Sequence, residues 1–267
     1  MKKILFNGKI YLEREKFAEA VLTSDDIIEK VGSNKEILAL CPEAEKIDCG
    51  GRTVLPGLND SHCHISCIGA ASIQVDLSEA TGIPEIIQLC KDFINEHPDN
   101  VKNGLRSMGW NQDLFTGEKR ILTKDDLDQI STDIPIVLER VCGHICAINS
   151  KAMELFNIDR NTIPPEGGTI MKDSNGEPNG VFTENAVAWI EKVIPDYTLE
   201  EKVSFLKEAM DYALSVGLTS VQSNDVGAPN VYGDFESIRY LYEHNLSNIR
   251  YRHQVTFNSC EEIREFV

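Results

Sequence analysis

From Val54 onward the chain alternates apolar, strand-like runs with helical segments, and this rhythm constrains its fold more than any other feature. Repeated strand-helix units of this length point to an α/β architecture with a parallel sheet or barrel. A helix is predicted from Pro84 to Asn95, carrying Ile86, Ile87, Leu89, Phe93 and Ile94. Asp125 and Asp126 open a short helical turn after Thr123, and Ile134 to Leu138 reads as a buried strand. Further helices are expected over 186–194, 199–214 and 235–242, with strands at 218–222 and 249–256. Glu261 to Val267 begins another helix without a stop signal. About four or five such strands can be counted, short of the roughly eight that close a barrel. The absence of a Gly-x-Gly-x-x-Gly run and of a Gly-rich Lys-Ser/Thr loop opposes dinucleotide and phosphate-loop folds.

Residues 1–54 read differently, as short strands with tight turns. Ile4-Leu5-Phe6 and Ile10-Tyr11-Leu12 flank Asn7-Gly8, a dipeptide suited to a hairpin turn. Phe17 to Leu22 and Ile27 to Val31 are further strands, and Ser33 with Glu36 makes a capping box for a helix to Leu40. The expected organisation is a small β-sheet domain, 1–54, followed by a larger α/β region, 55–267.

Charge narrows the partners. With 26 basic and 43 acidic residues the chain carries -17, which opposes nucleic acid and anionic membranes. No apolar run approaches the roughly 20 residues needed to cross a bilayer. Eight cysteines without framework spacing read as reduced thiols, so a cytoplasmic setting is expected.

The chemistry concentrates at Leu55-Pro56-Gly57-Leu58-Asn59-Asp60-Ser61-His62-Cys63-His64. On a strand, residues two apart point the same way, so His62 and His64 can aim at one point while Cys63 faces the packing. Two neutral imidazoles suit a divalent ion such as zinc; the plainer alternative is a pair of turn histidines. Glu184 follows a short extended run and could complete such a site, or instead support the start of the helix that follows. Trp110 and Asn111, with Asp113, lie just past a short strand, Leu105 to Met108. There an aromatic wall and polar orienting groups suit a small organic substrate, although Trp110 could equally pack its loop. Gln222 and Asp225 are further rim candidates, with Asp225 more readily a loop or helix-start residue. Cys142-x-His144-x-Cys146 is spaced too tightly for a usual structural zinc site. His97, His244 and His253 need no chemical role.

The run from Val54 to Ile65 resembles the metal motif of the amidohydrolase superfamily, whose first barrel strand ends in His-x-His. Other stretches are similar to the amidohydrolase 3 branch of YtcJ-like proteins, which includes N-substituted formamide deformylases. They are Met108-Gly109-Trp110-Asn111-Gln112-Asp113, Gly143-His144 with Asn149-Ser150, Gly176 to Glu184, and Gly217-Leu218-Thr219-Ser220-Val221-Gln222. The resemblance implies a TIM-like (β/α)8 barrel beside a small sheet domain, with one or two divalent metal ions, zinc foremost. It further implies hydrolysis of an amide-like carbon–nitrogen bond by a metal-activated water. Glu184 is then a metal ligand with His62 and His64, and His144 contacts a carbonyl or developing oxyanion. Two later histidines and a late aspartate belong to the same picture and are not found here. The chain therefore resembles a first half, expected to self-associate or to pair with the missing half. The alternative is a non-catalytic metal- or small-molecule-binding protein, or an assembly fragment, derived from this fold.

Overall fold

The computed structural model describes residues 1–226, 235–255, 260, 261 and 264. The chain divides into two units, Met1–Leu58 and Asn59–Val267. The first contains β1 (Lys2–Phe6), β2 (Lys9–Glu13), β3 (Lys16–Ala18), β4 (Ala20–Ser24), β5 (Ile27–Gly32), α1 (Asn34–Leu40), β6 (Glu45–Asp48) and β7 (Thr53–Val54). They form two sheets, ordered β5-β4-β1-β6 and β3-β2-β7. Ser33 and Glu36 cap α1 reciprocally, with the Ser33 amide donating to Glu36 Oε2 at 3.0 Å and the Glu36 amide to Ser33 Oγ at 3.3 Å. The helix buries Ile37 in a core with Ile4, Ala20 and Leu22.

Asn7-Gly8 does not form the expected hairpin. β1 is already paired on both sides, antiparallel with β4 and parallel with β6, so β2 has no free edge to join. Asn7 instead turns the chain into the other sheet at φ 54°. Its amide donates to Asn34 Oδ1 at 2.8 Å and its side chain to Asp48 Oδ1 at 2.9 Å.

The larger unit runs through β8 (Leu58–Cys63), α2 (Ile65–Ala71), α3 (Ile83–Glu96), β9 (Leu105–Trp110), α4 (Lys124–Leu127), β10 (Ile136–Arg140), β11 (Ile145–Ile148) and α5 (Ser150–Leu155). It continues with β12 (Gly168–Lys172), β13 (Pro178–Glu184), α6 (Asn185–Ile190), α7 (Leu199–Ser215), β14 (Leu218–Val226), α8 (Phe235–Glu243) and β15 (Arg250–Val255). The helix expected beyond Glu261 falls mostly outside the described residues.

These strands do not make one continuous run of barrel strands. They form two sheets, β15-β14-β8 and β12-β13-β11-β10-β9. In the first, β14 and β15 are parallel, with Val221 opposite Tyr251. In the second, only β9 and β10 are parallel, while β10–β11, β11–β13 and β12–β13 are antiparallel. The middle of the chain is thus a mixed sheet lying between β8 and β14 in sequence. The hairpin turn at Asp173–Gly176 and the short β10–β11 connection explain this, since closely linked strands fold back on one another.

α7 seats the element that follows β8. Thr198 and Glu201 form its capping box, and Phe205, Leu206, Ala209, Met210 and Ala213 give it a buried stripe at helical spacing. Phe205, Leu206 and Met210 each contribute about 1.5–3 kcal/mol on burial. α2 approaches so closely that a Cβ on Gly69 would lie 2.5 Å from the Phe205 carbonyl oxygen. All eight cysteines are free. Among the described residues, no helix is long and apolar enough to cross a membrane.

Candidate functional site

His62 is the last residue but one of β8, and His64 sits at the start of α2. Their rings lie edge to face with centroids 5.5 Å apart, and both residues are exposed. The alternation places Cys63 on the other side, half-buried against the cluster around Phe205, where burial pushes its thiol up. Asp60 shapes the approach by accepting the His62 amide at 3.1 Å.

The two neighbouring strands of this sheet hold the histidine segment from behind. On β15, Gln254 Oε1 lies 2.7 Å from His62 Nδ1, and Gln254 Nε2 donates to the Ser61 carbonyl at 3.1 Å. On β14, Ser223 Oγ accepts the Ile65 amide at 2.9 Å and Asp225 Oδ1 accepts the Ser66 amide at 3.3 Å. Ser223 and Tyr251 hydroxyls both donate to Asp225 Oδ2. Asp225 is only 1% exposed, so it is a buried acceptor beneath the site and not a rim residue. Gln254 and Ser223 went unread in the sequence, because only sheet pairing brings them to β8.

A second pair forms in the mixed sheet. β11 and β13 are antiparallel, with Ile145 opposite Thr183, which brings His144 Nδ1 to 3.1 Å from Glu184 Oε2. The Glu184 amide also donates to the His144 carbonyl at 2.9 Å. Glu184 adopts φ 55°, ψ -130° and makes no side-chain cap bond to α6. A non-glycine residue held there is strained, a condition that clusters at functional sites.

The structure places the remaining expected site residues as follows in their elements. His62, His64 and Glu184 do not assemble as one ligand set: among the described residues, no three His, Cys, Asp or Glu side chains are grouped to hold a metal ion. Glu184 lies instead against His144, on a strand that pairs in a different sheet from β8. Trp110, read as a substrate wall, is 0% exposed in the core with Leu105, Phe115 and Leu138, and its indole N–H donates to the Leu138 carbonyl at 3.1 Å. Asn111 is likewise committed to its loop. Its Oδ1 accepts the Asp113 amide at 3.1 Å and Arg140 Nη2 at 3.0 Å. Arg140, unnoticed in the sequence, ties that loop further through Gln112 and Asp113.

The donor chemistry of β8 fits part of a metal centre. Two imidazoles converge, and the Nδ1 of His62 is occupied, which leaves Nε2 as the ligating nitrogen. The chain shares this fold with metal-dependent hydrolases. An uncharacterized metal-dependent hydrolase from Pyrococcus horikoshii OT3 superposes with a TM-score of 0.72 at 26% identity, covering 100% of this chain and 51% of that one. The profile of the amidohydrolase family, Amidohydro_3, matches residues 45–264, and the chain belongs to that family. It is 36% identical over 247 residues to the putative amidohydrolase YtcJ of Bacillus subtilis (strain 168), across 91% of this chain and 46% of that protein. It is 32% identical over 218 residues to N-substituted formamide deformylase of Arthrobacter pascens, across 78% of this chain and 39% of the relative. The chain thus spans less than half the length of these curated relatives.

Proposed function

We propose that the chain carries part of the active site of a metal-dependent hydrolase that cleaves non-peptide carbon–nitrogen bonds in small amide-like molecules. The observation that carries this reading is the His62–His64 pair, with ring centroids 5.5 Å apart on one strand end. Membership of the amidohydrolase family supports the reaction class, and the deformylase relative suggests N-substituted formamides as the first substrates to try. A divalent ion bound at the pair, zinc by donor preference, would supply Lewis acidity and an activated water at neutral pH. His62 and His64 would hold it as neutral donors. His144, oriented by Glu184, would face the substrate, and in its doubly protonated form it donates through Nε2 to a carbonyl or developing oxyanion.

Elemental analysis after dialysis tests the assignment. His62→Ala and His64→Ala should each strip most of the bound zinc, and unchanged stoichiometry would sink it. The second reading is a non-catalytic metal-binding protein that keeps the His62–His64 pair. Turnover of an N-substituted formamide by the zinc-loaded protein supports the hydrolase over the binder.

A further inference from the structure

We infer that Gln254 is a positioning residue for metal ligation, its carboxamide fixing the tautomer of His62 so that the neutral ring presents Nε2 as its lone pair. The inference rests on the metal reading of His62 given above. Gln254 Oε1 lies 2.7 Å from His62 Nδ1. Which amide atom faces the ring is decided at the other end, where Nε2 donates to the Ser61 carbonyl at 3.1 Å. Exchanging the two atoms would set the amide oxygen against that carbonyl, acceptor against acceptor. With oxygen toward the ring, only an N–H at Nδ1 makes a hydrogen bond, so in the neutral imidazole the proton sits on Nδ1 and the lone pair on Nε2.

Gln254 therefore grips two consecutive residues of β8, the Ser61 backbone and the His62 ring. It does so from β15, across the middle strand β14 of the sheet. That strand pins the following turn through Ser223 on the Ile65 amide and Asp225 on the Ser66 amide. The backbone after His64 is thus fixed without Gln254, which leaves the Ser61 carbonyl and the ring of His62 as the parts that Gln254 holds. The residue type matters too. A carboxylate would also hold the Nδ1 proton, but it would add a negative charge beside the ring, whereas the amide fixes the tautomer without charge.

The test uses the metal-free chain with 15N-labelled histidine, at about pH 8 where imidazole is neutral. His62 is assigned by its loss in His62→Gln. The wild-type chain should show His62 protonated at Nδ1. Gln254→Leu, and Gln254→Met should the leucine variant fail to fold, should shift the ring toward a mixture with the Nε2–H form. Zinc affinity, measured by chelator competition, should then fall about 10–100-fold. Gln254→Glu keeps the acceptor at Nδ1 and should hold the Nδ1–H tautomer, while it loses the bond to the Ser61 carbonyl. A His62 tautomer unmoved by Gln254→Leu or Gln254→Met overturns this inference alone. A wild-type chain that takes up no zinc overturns the metal reading and this inference with it.

Discussion

Asp225 is 1% exposed, and a buried carboxyl is tolerated only when donors surround it. Here the Ser223 and Tyr251 hydroxyls and the Ser66 amide supply them. Burial, followed by the charge of Asp225, holds the Tyr251 hydroxyl well above the ordinary phenol range. Asp225→Ala would leave the Tyr251 hydroxyl and the Ser66 amide without their acceptor inside the core, while the Ser223 hydroxyl keeps the Cys63 carbonyl at 3.2 Å, at a cost of about 2 kcal/mol or more. Asp225→Asn keeps one oxygen and should lose less. Urea unfolding followed by circular dichroism checks the order, and an alanine variant that unfolds at the wild-type urea concentration would refute the network. Residues of this kind were legible in the sequence only where local geometry sufficed. His62 and His64 announce themselves by a spacing of two on one strand. Gln254 stands 192 positions from His62, and only strand pairing gives it a meaning.

At the scale of elements, Gly180 shows how β13 is locked in place. It sits at φ 85°, and a Cβ there would lie 2.6 Å from the Ile148 carbonyl oxygen and 2.9 Å from the Lys124 amide nitrogen. Both obstacles are backbone, so β13 can press against β11 and α4 only without a side chain at this position. Gly176, in the turn before it, has φ 79° and nothing within 4 Å. Gly176→Ala should therefore cost only the left-handed conformation, about 1–2 kcal/mol. Gly180→Ala should cost that amount plus the clash, and it should loosen the end of β13 that carries Glu184 to His144. Thermal melts of the two variants side by side provide the check, and equal losses would mean that the close approach carries no weight. The same strands show what pattern reading leaves open. An apolar run of Ile136–Leu138 or Gly180–Phe182 identifies a strand but not its partner or direction, and parallel and antiparallel neighbours look alike in such short segments. Helix starts at Ser33 and Thr123 were read more closely, because their caps are local in sequence.

For the molecule as a whole, the -17 charge was read from the sequence as bearing on partners, yet one carboxyl group turns it into a statement about stability. Glu139, on β10, is half-buried, and its carboxyl is pushed well above the usual carboxylate range, first by burial and then by the charge of Glu191. Below the ordinary carboxyl value, folded and unfolded chains both hold this proton, and the contribution to stability is full. As pH rises from there toward the raised folded value, the unfolded chain ionises while the folded chain keeps its proton. Stability must then fall across that window. Exposed acids such as Glu36 and Glu85 behave oppositely. Hydrogen bonds from Ser33 and Thr81 lower them, so their contribution is lost as pH drops. Glu139→Gln removes the ionisable group, so between about pH 5 and pH 8 its melting temperature should decline less than that of the wild type. Repulsion within a chain of this net charge also opposes folding at high pH, but salt screens charges that face solvent. The comparison made at high salt therefore isolates Glu139. If the difference between variant and wild type vanishes there, the pH dependence belongs to the net charge and not to this carboxyl.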